Sequence, residues 1–175
     1  CLGGGSNPSP RRGRVCFLRA CARRRQAGQV LCLGGGDREK CAPLSEELGL
    51  LDSVRFIPRT EKVADYLQLF TLFVLPSLSE SSQNTLLEAM RMGKPAVCSN
   101  VGGVPECISD ERYLVPPSDE AALAGAMAAA LASPVALAEA ARRNLAFSEQ
   151  FRVSKKLDIM EGVYTDLLRP YMGGR

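Results

Sequence analysis

Residues Leu72 to Glu106, LFVLPSLSESSQNTLLEAMRMGKPAVCSNVGGVPE, constrain the fold more than any other stretch of the chain. Leu72 to Leu75 is a short apolar run ended by Pro76, the pattern of a buried strand. Ser77 to Gln83 is polar and reads as a loop. A helix is expected to start near Asn84 or Thr85 and to stop at Gly93, which suits the left-handed residue just past a helix end, with Pro95 blocking continuation. Ala96 to Ser99 is a second short strand. A helix between two buried strands is a βαβ unit with parallel strands. Its strand-to-helix loop then lies at the carboxyl edge of the sheet, where open α/β sheets bind ligands. Two carboxylates, Glu80 and Glu88, bracket that loop.

The remaining chain alternates in the same way. A helix over Gly13 to Arg25 with an Arg-rich outer face precedes a strand at Gln29 to Leu33, closed by Gly34-Gly35-Gly36. Helix Arg38 to Leu48, stopped by Gly49, is followed by strand Val54 to Ile57 and a short helix over Glu61 to Phe70. Beyond the focal unit come strand Tyr113 to Val115, an Ala-rich helix capped by Asp119, a helix opened by Pro134, and a last helix over about Arg152 to Leu168. The expectation is an α/β fold, a Rossmann-like parallel sheet with helices on both faces. Residues 1–150 form the domain, and 151–175 a C-terminal helix whose apolar positions Leu157, Met160, Val163 and Tyr164 await a partner. A strand should precede the first helix, and Leu2-Gly3-Gly4-Gly5 is a poor one because glycine weakens strands.

Composition excludes several chemistries. The chain has 175 residues and no histidine, which argues against zinc, serine-triad and histidine-base sites. Seven cysteines, odd in number and without a CxxC pair, point to reduced thiols used as core filler in a cytoplasmic setting. No apolar run reaches the roughly 18 residues of a membrane span. The first 36 residues hold seven of the 22 basic residues and no acid, which leaves 15 basic and 19 acidic residues in the rest. Such a basic third fits an anionic partner: ligand phosphate, an anionic lipid face in peripheral contact with a membrane, or nucleic acid. Only Phe17 is aromatic there, so base stacking is unsupported and nucleic acid is set aside. The plainer alternative is a solvated helix face.

The loop itself favours one ligand type. Amides from Gln83 to Leu86 open the helix, and such a terminus carries roughly half a positive charge, an anion site. With a carboxylate on either side to accept polyol hydroxyls, the arrangement suits a diphosphate joining two sugars. Glu88 would hold a ribose diol while Glu80 reaches the sugar beyond the phosphates. The competing reading makes Thr85-Leu-Leu-Glu88 a capping box. Glu80 and Arg12 could equally be solvated, Gly34 to Gly36 a simple turn, and Glu106 a helix cap.

The E-x7-E spacing of Glu80 and Glu88, followed by Gly93-Lys-Pro and Gly102-Gly-Val-Pro-Glu106, resembles the donor-nucleotide domain of the retaining glycosyltransferases of family four, which have the two-domain GT-B architecture. The resemblance spans about residues 9 to 132. It implies a C-terminal GT-B half that transfers a hexose-type sugar from a nucleotide-diphosphate sugar with retention and without a bound metal. Glu80 would support charge at the anomeric carbon, and Arg12, before Gly13, would neutralise the leaving phosphate. Donor contacts would come from Glu88, Thr85, Asn84, Gln83, Ser82, Thr60 and Gly34. The acceptor (glycan, lipid or small molecule) stays open, and its N-terminal domain is not in this chain. Two positions depart from the family pattern: Asn7 stands where Arg is usual, and Ser81-Ser82 where Gly-Phe is common. Loss of one charged phosphate contact costs about 1.5–3 kcal/mol, so an incomplete, binding-only module is the alternative function.

Overall fold

The computed structural model describes residues 9–24, 28–34, 38–80, 83–108 and 110–172. The elements run α1 (Ser9–Arg24), β1 (Val30–Leu33), α2 (Arg38–Glu47), β2 (Val54–Ile57), α3 (Val63–Gln68), β3 (Phe73–Leu75), α4 (Asn84–Arg91), β4 (Ala96–Ser99), α5 (Val104–Cys107), β5 (Leu114–Val115), α6 (Glu120–Leu131), α7 (Pro134–Ser148) and α8 (Val153–Met172). The alternation read from the sequence is present, and every described strand pairing is parallel.

The described strands form two parallel ladders, β1–β2 and β3–β4–β5. The weak strand expected at Leu2 to Gly5 lies outside the described residues, as does Asn7.

Strands β3 and β4 are buried along their whole length, as a sheet covered on both faces requires. Alternate side chains serve different layers. Val74 and Val97 join Phe17, Leu18, Leu123 and Met127 of α1 and α6. Phe73, Leu75, Ala96 and Cys98 join Leu67, Leu86 and Met90 of α3 and α4. Left-handed glycines punctuate the chain where expected, Gly49 at φ 67° and Gly93 at φ 66°. Asp119 accepts the Ala122 amide at 2.8 Å as the α6 cap, and Ser133 accepts that of Ala136 at the start of α7. The six described cysteines are buried. Burial pushes the Cys21 thiol up to about 12.

Helix α8 differs from the rest. Its side chains from 153 to 169 are all exposed. They include Leu157, Met160, Val163 and Tyr164, an apolar surface of the kind that marks an interaction face. With so little burial, α8 opens at low cost relative to the core. Limited trypsin digestion is therefore expected to cut at Arg152, Lys155 or Lys156 before any site between residues 30 and 130. First cleavage within the core, read by mass spectrometry, would contradict this.

Candidate donor-binding site

The site is built where α1 and two strand ends converge. Pro76 and Ser77 follow β3 directly, and Gly13 of α1 packs on them. A Cβ on Gly13 would stand 2.1 Å from the Pro76 carbonyl oxygen, so only glycine permits this approach. The contact brings the first turns of α1, with exposed Arg12, against the β3–α4 loop. On the other side, Gly102 in the β4–α5 loop has φ 53°, and a Cβ there would stand 2.2 Å from the Glu80 carbonyl oxygen. Gly103 lies against the side chain of Gln83. The Glu80 loop is thus held between α1 and the Gly102-Gly103 turn.

Within the loop, the Ser77 hydroxyl donates a 2.5 Å hydrogen bond to Oε1 of Glu80. Glu80 is half-buried and Ser77 buried. Beneath them lies Cys98, whose thiol burial pushes above its ordinary value, with the charge of Glu80 acting in the same direction. Ser81 and Ser82 lie outside the described residues.

Helix α4 starts at Asn84 with Gln83 as its cap, and no side chain bonds the cap. The first bond back into the helix is from the Leu87 amide to the Gln83 carbonyl, 2.9 Å. The amides of Asn84, Thr85 and Leu86 precede it and are the donors such a terminus offers. Leu86, Ala89 and Met90 are buried. Asn84 and Glu88, one turn apart, share the exposed face. The capping-box reading of Glu88 is corrected here. It required Thr85 as the cap, but the helix begins earlier, so Glu88 sits too far along to reach back and its carboxylate stays at the surface.

Other sequence-selected residues fall elsewhere. Gly34, at φ 112°, closes β1, and its amide donates to the Ile57 carbonyl. Thr60 follows β2 and its hydroxyl accepts the Lys62 amide at 3.1 Å. Both lie at the carboxyl ends of the first ladder, and no hydrogen bond among the described residues joins them to the Glu80 loop. Glu106 lies in the first turn of α5 and is exposed, and the α5 cap is Gly103 rather than an acid. Lys94 of Gly93-Lys-Pro is structural: its Nζ donates to the Gln68 carbonyl at 2.8 Å, and its own carbonyl accepts from Asn144. The basic face of α1 is partly neutralised, since Arg19 and Arg23 both pair with Glu120. Sequence reading missed Ser77. Its only signal was a hydroxyl three residues before Glu80, directly after the proline that ends the strand.

Comparison with known proteins gives this geometry a context. Residues 2–133 match the family described as Glycosyl transferases group 1. The chain belongs to that family. Among its relatives, N-acetyl-alpha-D-glucosaminyl L-malate synthase of Bacillus anthracis is 34% identical over 152 residues, 83% of this chain and 39% of the relative. D-inositol 3-phosphate glycosyltransferase of Streptomyces avermitilis is 30% identical over 132 residues, 73% of this chain and 28% of the relative. The chain thus spans less than half the length of these relatives. Its fold matches sucrose-phosphate synthase of Thermosynechococcus elongatus with a TM-score of 0.82 at 29% identity, covering 92% of this chain and 43% of the other. It also matches Anabaena Alr3699/HepE in complex with UDP, TM-score 0.79 at 22% identity, covering 91% and 47%. The α/β architecture is that of the GT-B glycosyltransferases.

Proposed function

We propose that this chain is the donor-binding domain of a retaining hexosyltransferase of family four, holding a nucleotide-diphosphate sugar across the start of α4. The observation that carries this reading is the open α4 terminus, with the exposed carboxylate of Glu88 on one side and the fixed carboxylate of Glu80 on the other. Its amides and their partial positive charge bind the diphosphate. Glu88 accepts the ribose hydroxyls. Glu80 accepts a hydroxyl of the transferred sugar and offsets the positive charge that develops at its anomeric carbon. Arg12, carried to the loop by the Gly13–Pro76 contact, stabilises the departing phosphate. The diphosphate itself takes the proton of the acceptor on the face it leaves, so configuration is retained. Thr60 and Gly34 would contribute backbone contacts to the nucleoside. In this reading the helix end and Arg12 hold the diphosphate, and no metal is required. That HepE is seen with UDP-glucose, on a fold this chain shares at 22% identity, supports the donor class.

The acceptor side is supplied by another domain, with the apolar face of α8 as the surface that would meet it. The chain by itself is therefore expected to bind donor without turnover. Calorimetry against UDP-, GDP- and ADP-glucose tests the reading. One donor should bind, and Glu88→Ala should lose about 1.5–3 kcal/mol, roughly 10- to 150-fold in affinity. Binding of none of the three, or an unaffected Glu88→Ala variant, would count decisively against it.

A further inference from the structure

We infer that Ser77 is a positioning residue that fixes the sugar-facing carboxylate of Glu80 before the donor arrives. The inference rests on the donor reading above and adds the group that orients its acidic residue. Three observations converge on it. The Ser77 hydroxyl donates to Oε1 of Glu80 at 2.5 Å, and this is the hydrogen bond found for that hydroxyl. Ser77 is only 8% exposed, so water does not compete strongly for the hydroxyl. The backbone on both sides of the pair is immobilised by close packing: the Pro76 carbonyl lies against Gly13, and the Glu80 carbonyl against Gly102.

The chemistry follows from the donor and acceptor inventory. An ionised carboxylate offers two oxygens and about four lone-pair directions. Ser77 occupies one direction on Oε1. Oε2 remains for a hydroxyl of the sugar, and its place is set by the bond on Oε1. A glutamate in a solvated loop samples many rotamers, and a ligand that needs one of them must bear the ordering entropy. Ser77 removes that cost in advance, as groups supporting a binding constellation do. The effect must fall on the sugar and not on the nucleotide, because the diphosphate and ribose groups meet α4 and Glu88 instead.

This separation makes the test specific. The affinities of the chain for UDP and for UDP-glucose are measured by calorimetry (or for GDP or ADP and their glucose conjugates, if the panel above selects those). Ser77→Ala should weaken the sugar nucleotide about tenfold and leave the nucleoside diphosphate within about twofold, a hydrogen bond to a charged group being the interaction removed. Ser77→Thr, which keeps the hydroxyl, should restore the wild-type ratio. In a Glu80→Ala background, Ser77→Ala should change the ratio no further, since coupled residues are not additive. A parallel loss for both ligands would mean a structural role and overturn the inference, as would an unchanged ratio in Ser77→Ala or full additivity in the cycle. A wild-type chain that binds neither ligand would overturn the donor reading, and the inference with it.

Discussion

Alanine at position 80 is expected to lower turnover about 10²- to 10³-fold, the loss of about 2.7–4 kcal/mol that follows removal of one preorganised charge-stabilising group. The measurement is kcat for the transferase that carries this domain together with its acceptor-binding half. The size follows from where the carboxylate sits. Glu80 is half-buried, one oxygen is held by Ser77, and its backbone is clamped by Gly102. A charge fixed in that way needs little reorganisation as the sugar becomes oxocarbenium-like, so its effect is larger in the transition state than in the ground state. The loss should therefore appear in kcat, with affinity for the nucleoside diphosphate retained. Glu80→Gln should retain the hydrogen bond from Ser77 and lose the charge, which separates orientation from electrostatics. Turnover of Glu80→Ala within tenfold of wild type would remove Glu80 from the mechanism.

Much of the local structure around the candidate site was legible because its signals are local. Strands β2 and β4 have the bounds that the sequence predicts, Val54–Ile57 and Ala96–Ser99, since each is a short apolar run between turn residues. Glu80 and Glu88 were recognisable from their spacing around a strand, a loop and a helix. What was not legible depended on contacts between distant segments. Gly13 reads as a helix boundary because glycine is a poor helix former, yet it lies inside α1, which starts at Ser9. The reason for a glycine there is Pro76, more than sixty positions away. The capping-box reading of Glu88 failed for a smaller reason: a cap at Gln83 rather than Thr85, two residues earlier, changes which side chain can reach it. Ser77 escaped notice because its bond to Glu80 depends on the loop conformation, which the two flanking glycine contacts impose.

The glycines themselves give the sharpest stability test, because the structure reverses the usual expectation for one of them. Gly13→Ala within a helix would ordinarily stabilise by up to about 1 kcal/mol. Here it is expected to destabilise by about 1–3 kcal/mol, as overpacking does, a drop in Tm of roughly 2–4 °C per kcal/mol for a chain of this size. The clashing atom is a backbone oxygen at 2.1 Å, which has no rotamer to escape into, so α1 or the loop must shift. Gly102→Ala carries the same kind of clash, 2.2 Å to the Glu80 oxygen, together with a left-handed φ of 53°. Gly49 supplies the comparison: its φ is 67°, but nothing lies within 4 Å of the added carbon. Gly49→Ala should therefore show the conformational cost alone, about 1 kcal/mol, and should bind donor normally. Gly102→Ala should melt lower than Gly49→Ala and should also weaken the sugar nucleotide more than the nucleoside diphosphate, because its clash displaces Glu80. If Gly102→Ala melts with Gly49→Ala and keeps the wild-type ratio of the two affinities, then the β4–α5 turn does not hold the Glu80 loop, and its position is set by the Gly13–Pro76 contact and the Ser77 hydrogen bond instead.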